Sequence, residues 1–321
     1  MKHCIIGSYP PPLGGVSVYI YRLCKSLKQA GNTVVIVDWL RMSNLKRVWA
    51  FLYLVFDKEF TEYNMNGFGY YFMVALAIRP FGKKIVFMDH NERQLEHQTK
   101  CKRIIYKWFL TKVDQFYIVG DHIKTYYNSY NINIDGKAIT KHAFLPPPLD
   151  EENDILKTYD AQTLAFIDKK RPLIMANGFQ VCFFKGEDLY GLDMCVEITC
   201  LLKKHFNTIG FLFALANDTV EKEYLTTLQN KIVEYGIQEN FHFLSGQKEI
   251  WPLFKRADML IRPTNTDGDA VSIREALYFQ CPVLASDASP RAEGAVVFQN
   301  RNIEDAFAKA LQVLSSNKPK H

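Results

Sequence analysis

The residues best equipped for chemistry lie in one run, Arg262-Pro263-Thr264-Asn265-Thr266-Asp267-Gly268-Asp269-Ala270-Val271-Ser272-Ile273-Arg274-Glu275, between an apolar, strand-like stretch and a stretch of helical period. Ionised carboxylates only accept hydrogen bonds, so Asp267, Asp269 and Glu275 suit the adjacent hydroxyls of a sugar or ribose, or a hard divalent cation. The same residues have an architectural reading. Ser272-x-x-Glu275 has the spacing of a capping box, and Asp269 fits an N-cap, in which case the acids satisfy helix amides and nothing more. Against that reading, a helix start carrying both Asp267 and Asp269 is more acidic than a cap requires.

A second candidate is Gly14-Gly15-Val16-Ser17, between the first strand and a helix. Glycines there let backbone amides and the helix start approach a diphosphate; the alternative is a turn that needs positive φ. Neither Gly-x-Gly-x-x-Gly nor a Gly-Lys-Ser/Thr phosphate loop is present. His90 follows the apolar run 85–88, where a side chain emerges at the carboxyl edge of a sheet. The other histidines have no metal-ligand spacing.

The elements that must position these groups alternate. Short apolar runs at 3–8, 33–39, 85–88 and 115–119 are separated by helical stretches at 16–30, 70–78 and 102–111. After residue 150, strands fit 173–176, 211–215, 241–244, 259–262 and 283–286, with helices at 191–204, 221–235, 249–255 and 272–279. This is the pattern of βα units feeding a mostly parallel sheet, an α/β fold. Leu145-Pro146-Pro147-Pro148-Leu149-Asp150 cannot continue a helix or interior strand and reads as a connection, because proline lacks a donor and fixes φ. The expected domains are therefore 1–150 and 151–301, with a last helix within 302–321. Ligands in such sheets sit at the carboxyl ends of strands, so a cleft between the halves is the expected site.

Composition agrees: 321 residues and 48% hydrophobic content fit about two packed domains. A net charge of +5 is too small to signal a nucleic-acid binder. Seven scattered cysteines without a Cys-x-x-Cys pair suggest a reducing compartment and no thiolate zinc site. The charge is local: Arg93, Lys100, Lys102, Arg103, Lys107 and Lys112 against Glu96 alone give 93–112 as much net charge as the whole chain. Beside these cations Ile104, Ile105, Trp108 and Phe109 share a helical face, a pattern that fits either anionic lipid or an ordinary solvated helix. The apolar run 48–56 is nine residues long, a buried helix or docking patch and too short to span a bilayer.

The Asp267 to Glu275 spacing, followed by Ala276-Leu277 and Cys281-Pro282-Val283-Leu284-Ala285-Ser286-Asp287, resembles the Glu-x7-Glu motif and the Pro-Val-x-Ala-Ser run of retaining GT-B glycosyltransferases of family four. Gly14-Gly15 matches that family's N-terminal glycine loop, and Phe87-Met88-Asp89-His90 its strand ending in histidine. Asp258-Met259-Leu260-Ile261 falls on its Ala-Asp strand, and Gly191-Leu192-Asp193 on the helix start after its Lys-Gly. This chain departs from the pattern at Asp267 for Glu, Cys281 for Gly, Phe179 after Gly178 where the family has Arg, and Tyr190 before Gly191.

The resemblance implies two Rossmann-like domains and a UDP- or GDP-type sugar donor, with no other cofactor and no metal. It makes Asp267, His90 and Glu275 catalytic candidates. Gly14, Gly15, Lys185, Arg262, Gly268, Asp269, Ala270, Val271, Ser272, Arg274 and Glu275 become donor-binding candidates, with Lys185 the first choice of diphosphate cation. The acceptor, a glycan or lipid-linked sugar of a bacterial surface polysaccharide, would enter beside Asn66 and His90. A cytoplasmic protein at the inner face of the plasma membrane follows, touching anionic lipid through 93–112, with the last helix packing back on the first domain. Three other readings remain open: a sugar-nucleotide epimerase or hydrolase on the same scaffold, a silent carbohydrate-binding subunit, and a metal-dependent GT-A-like transferase using Asp267-Gly268-Asp269.

Overall fold

The computed structural model describes residues 1–79, 82, 84–90 and 98–316. Residues 93–97 of the basic segment and 317–321 of the last stretch lie outside the described residues. The chain divides into two compact units, Met1–Leu145 and Pro146–His321, so the break falls at the start of the proline run.

The first unit runs β1 (Lys2–Ile6), α1 (Gly15–Gln29), β2 (Thr33–Val37), α2 (Asn44–Phe56), β3 (Glu62–Asn66), α3 (Tyr70–Ile78), β4 (Lys84–Asp89), α4 (Lys100–Leu110), β5 (Gln115–Ile118), α5 (His122–Ser129) and β6 (Ala138–Thr140). Its strands form one parallel sheet in the order β2-β1-β3-β4-β5-β6. The chain leaves β1 for β2 on one side and returns past it to β3, which makes the carboxyl edge between β1 and β3 the switch point where such sheets take ligands. β3, Glu-Tyr-Asn-Met-Asn, carries no apolar run, and its strand character comes from its neighbours: Tyr63 and Met65 are buried on one face of the sheet.

The second unit runs α6 (Glu152–Leu156), α7 (Ala161–Lys169), β7 (Leu173–Gln180), β8 (Phe183–Phe184), β9 (Glu187–Asp188), α8 (Leu192–Lys203), β10 (Gly210–Asn217), α9 (Lys222–Glu234), β11 (Phe241–Ser245), α10 (Trp251–Phe254), β12 (Met259–Arg262), α11 (Val271–Tyr278), β13 (Val283–Ser286), β14 (Val296–Phe298) and α12 (Ile303–Ser316). The order β11-β10-β7-β12-β13-β14 is again all parallel, with its switch point between β7 and β12. Side chains of this sheet alternate between two cores. Ile174, Phe211, Phe213 and Ile261 join α8, α9 and α12, while Leu173, Met175, Leu212 and Leu260 join α10 and α11. Burial on both faces explains the nearly continuous apolar runs of these strands.

Two units of Rossmann type bear out the expected α/β architecture. α12 buries Ala306, Ala310, Val313 and Leu314 in the second unit's own core, so its apolar stripe covers that unit's sheet. Among the described residues no helix is long and apolar enough to cross a membrane.

Candidate active site

In the second unit the polar run 262–275 connects β12 to α11 beside the switch point. Arg262 ends β12 and is buried. Its Nη1 donates to the Asn177 carbonyl on the adjacent strand at 2.7 Å, and its Nε donates to Asp267 Oδ2 at 3.0 Å. The same Oδ2 accepts from Arg291 Nη1 at 3.2 Å and from the Thr264 hydroxyl at 3.2 Å. Burial alone would raise the Asp267 carboxyl, but the two guanidiniums outweigh it and hold the group below the ordinary carboxylate range. Arg291 is fixed from every side: Nε donates to the Ser286 carbonyl at 2.7 Å, and Nη2 to the hydroxyls of Ser286 and Thr264 at 2.9 and 3.0 Å. Asp267 is thus a half-buried anion held by two arginines through one oxygen.

Asp269 accepts from Arg274 Nε with both oxygens, at 2.6 and 2.8 Å. α11 starts at Val271 with Ala270 as its N-cap and no side-chain cap bond. Ser272 is therefore the second helical residue and Glu275 the fifth, whereas a capping box needs the N-cap and the third. The capping reading is not realised. Among the described residues no side chain bonds the amides of Val271 or Ser272, and buried Glu275 lies one turn further along this short helix.

The start of α8, in contrast, is closed. Asp188 accepts from the amides of Tyr190, Gly191 and Leu192 at 2.9, 3.1 and 3.2 Å, and from the Tyr224 hydroxyl at 3.2 Å. Gly191 has φ +64°, and a Cβ there would stand 2.4 Å from the Pro263 carbonyl, so only glycine lets α8 approach the 262–275 run this closely. The Tyr190 ring lies under the Arg262 guanidinium at 5.2 Å.

Lys185 is set apart from this network. With Gly186 it forms the two-residue turn of the β8–β9 hairpin, both residues at positive φ, and its ammonium lies over the Phe184 ring at 5.4 Å. The hairpin tip exposes it.

The first unit brings together the other candidates. His90 follows β4, and its Nε2 is 3.1 Å from Asn66 Oδ1 at the end of β3. Asn66 Nδ2 faces the Asn64 carbonyl at 3.5 Å, which fixes the amide with its oxygen toward the ring, so His90 donates from Nε2 and keeps Nδ1 as an acceptor. Burial pushes the imidazole down to about 4, so it is neutral at physiological pH. Tyr19, one turn into α1, meets the ring edge-on at 5.0 Å, which ties the start of α1 to this corner. Gly14 is the N-cap of α1 at φ −157°, its amide bonded to Ser17 Oγ at 2.9 Å, and a Cβ would meet nothing closer than that oxygen at 4.0 Å. Neither Gly14 nor Gly15 has positive φ. The turn reading of this pair is overturned.

Residues 190–321 match the family model of glycosyl transferases, group 1. The stretch holds Tyr190-Gly191, the 262–275 run and Arg291 but not Asp188, Lys185 or the first unit's candidates. The curated lipopolysaccharide glucosyltransferase WaaG of Escherichia coli is 25% identical over 131 residues, covering 38% of this chain and 34% of that protein, so the chain spans about a third of that relative. Among solved structures, HepE of Anabaena in complex with UDP superposes with a TM-score of 0.70 at 12% identity, covering 98% of this chain and 90% of that one. The α,α-trehalose-phosphate synthase (UDP-forming) of Burkholderia xenovorans, with glucose-6-phosphate, gives 0.69 at 12% identity, covering 99% and 93%. The two-unit Rossmann-like architecture matches that of the GT-B glycosyltransferase structures, and the group 1 family model matches within the second unit.

Arg291 and Asp188 escaped the reading of the sequence. Arg291 follows Ser286-Asp287-Ala288-Ser289-Pro290, five residues past the end of β13, with no motif of its own; its signal is a lone cation directly after a buried strand's polar turn. Asp188 was hidden because a two-stranded hairpin, not an ordinary loop, delivers it to α8.

Proposed function

We propose that the protein transfers a sugar from a nucleoside-diphosphate sugar to a glycan or lipid-linked acceptor with retention of anomeric configuration, in the synthesis of a bacterial surface polysaccharide. The observation that carries this reading is the open start of α11, with buried Glu275 one turn along it, inside the stretch that matches the group 1 family. Glu275 accepts hydrogen bonds from the two ribose hydroxyls of the donor. The free amides of Val271 and Ser272 and the positive end of the helix meet the diphosphate as its charge develops on leaving. Among the described residues Asp267 receives its bonds through Oδ2, which leaves Oδ1 for a sugar hydroxyl beside Gly268, Asp269 and Ala270.

Arg262 replaces Lys185 as our choice of the cation near the diphosphate, because it ends β12 at the switch point and Lys185 does not reach the network. On the acceptor side, neutral His90 presents Nδ1 and Asn66 orients the ring. Metal independence is supported by the arginines: Arg262 and Arg291 neutralise Asp267, and Arg274 occupies both oxygens of Asp269, so a divalent ion at Asp267-Gly268-Asp269 would have to displace guanidiniums. The UDP bound to HepE makes uridine diphosphate the first nucleotide to test.

The test is a thermal-shift series with uridine, guanosine and adenosine diphosphates and their sugars, followed by donor turnover with and without acceptor in excess chelator. At a nucleotide concentration a hundred times Kd the folded state gains about 2.7 kcal/mol. The expected result is a shift with one base, followed by transfer to acceptor in chelator with the donor's anomeric configuration kept. Transfer restored only by manganese or magnesium, or free sugar or an epimer formed equally well without acceptor, overturns this reading.

A further inference from the structure

The outer faces of α2, α3 and α4 form the most unusual surface of the first unit. On α2 the residues Leu45, Val48, Trp49, Leu52, Tyr53 and Phe56 recur at three- and four-residue steps, an unbroken apolar stripe that a soluble helix turns inward. Here all six are exposed, Trp49 to 67% and Phe56 to 64%, while Leu54 and Val55 on the opposite side hold the helix to the core. The run 48–56 is thus an amphipathic helix with an exposed apolar stripe and not a buried helix. Steps β2→β3, β3→β4 and β4→β5 cross the sheet in one direction, so right-handed crossovers place α2, α3 and α4 on the same face. Phe51 of α2 meets Tyr71 of α3 at 4.9 Å, and Lys102 of α4 lies over Tyr70 of α3 at 5.5 Å, so the three helices make one continuous surface. Tyr71 and Ile78 of α3 and Ile104 and Trp108 of α4 are exposed on it as well. Of the face expected on α4, Phe109 is buried and Ile105 half-buried, leaving Ile104 and Trp108 outward.

Charge identifies the occupant. Segments 39–56, 70–79 and 98–113 contain no Asp or Glu. Lys46, Lys100, Lys102, Lys107 and Lys112 are exposed around the apolar stripe. A second copy of this surface would set cation against cation, whereas an anionic bilayer offers hydrocarbon to the stripe and phosphates to the lysines. Tryptophan and tyrosine rings such as Trp49, Tyr53 and Trp108 suit the headgroup level, apolar in body and polar at one edge. The 13 residues of α2 give a length of about 20 Å, short of the ~30 Å hydrocarbon core, so the helix would lie in the interface and not cross it.

We propose that the α2–α3–α4 face of the first unit docks on an anionic phospholipid surface, with the α2 stripe inserted among the acyl chains and the α4 lysines on the headgroups. This surface is separate from the donor-site residues, so the two can be tested apart. The experiment is sedimentation of the full chain with phosphatidylcholine vesicles and with mixed phosphatidylcholine–phosphatidylglycerol vesicles, for the parent, Trp49→Glu/Phe56→Glu and Lys102→Glu/Lys107→Glu. All four side chains are exposed, so the variants should melt with the parent and keep its nucleotide-induced thermal shift. The parent should bind the anionic vesicles only, less tightly as salt shortens the Debye length to ~8 Å at physiological strength. Trp49→Glu/Phe56→Glu should bind at least about ten-fold more weakly, a loss of about 1.4 kcal/mol. Lys102→Glu/Lys107→Glu should lose the preference for phosphatidylglycerol. No vesicle binding by the parent, equal binding by the folded Trp49→Glu/Phe56→Glu variant, or a dimer of the parent that this variant converts to monomer without any vesicle binding overturns the proposal.

Discussion

Two helix starts in the second unit are built oppositely. α8 begins under Asp188, whose carboxylate accepts three successive amides, so its positive end is already answered within the protein. α11 begins with Ala270 and no side-chain cap, although Asp267 and Asp269 stand just before it. Those two acids are turned onto Arg262, Arg291 and Arg274. The contrast separates a helix end closed by a carboxylate from one that no described side chain caps. It also shows that acidity near a helix start says little until the partner of each acid is known.

The acids differ electrostatically as well. Burial, followed by the neighbouring Asp193 carboxylate, raises Asp188 above the ordinary carboxylate value, whereas the arginines lower Asp267 below it. Replacing the acid that two buried cations share should therefore cost most. Asp267→Asn leaves Arg262 and Arg291 without their counter-charge, and we expect a loss of about 3 kcal/mol in denaturant unfolding, within the range for breaking a buried ion pair. A loss below ~1 kcal/mol would mean the arginines are solvated by other means. Asp188→Asn should cost less, about 1–2 kcal/mol, as for a lost N-cap, with nucleotide affinity unchanged. A large affinity loss there would move the anion site to α8 and break the comparison.

The smallest effect is in pH. A carboxyl lowered by folding contributes stability above its unfolded value and loses it as pH falls through the folded value, so the cost of Asp267→Asn should be constant from neutral pH down to about 4 and shrink below. A carboxyl raised by folding has the opposite sign. It binds its proton earlier in the folded state, so the parent gains on Asp188→Asn as pH falls from neutral toward about 4, and the cost of that substitution should grow. Chemical unfolding of both variants at several pH values checks the two slopes.

Much of this architecture is legible in the sequence, because strands buried on both faces, such as Met259-Leu260-Ile261 and Val283-Leu284-Ala285, read as apolar runs without any partner known. β3 is not legible, because polar Glu62, Asn64 and Asn66 alternate with Tyr63 and Met65 and only the neighbouring β1 and β4 make it a strand. α2 misleads for the opposite reason: its apolar side chains lie on both faces, and sequence alone cannot say which face meets the core. In the site, the 262–275 run and His90 are singled out from residue type and position after a strand, whereas Asn66 enters only through the resemblance, because the strand that carries it is not legible. The hairpin setting of Lys185 is not legible, because a Lys-Gly pair reads the same in a phosphate loop and at a hairpin tip. Arg291 becomes visible only through the three-dimensional closeness of β12 and β13.

In the proposed function the open start of α11, with Glu275, binds the donor nucleotide. Calorimetric titration of the parent and of Glu275→Gln with the diphosphate that gives the thermal shift tests it most directly. A glutamine amide offers one acceptor and two donors where the carboxylate accepts from both ribose hydroxyls, a mismatch of about 1–3 kcal/mol in a buried site. The account predicts a melting temperature near that of the parent and an affinity lower by about ten-fold or more. A Glu275→Gln protein that binds the nucleotide with the parent's affinity would contradict it.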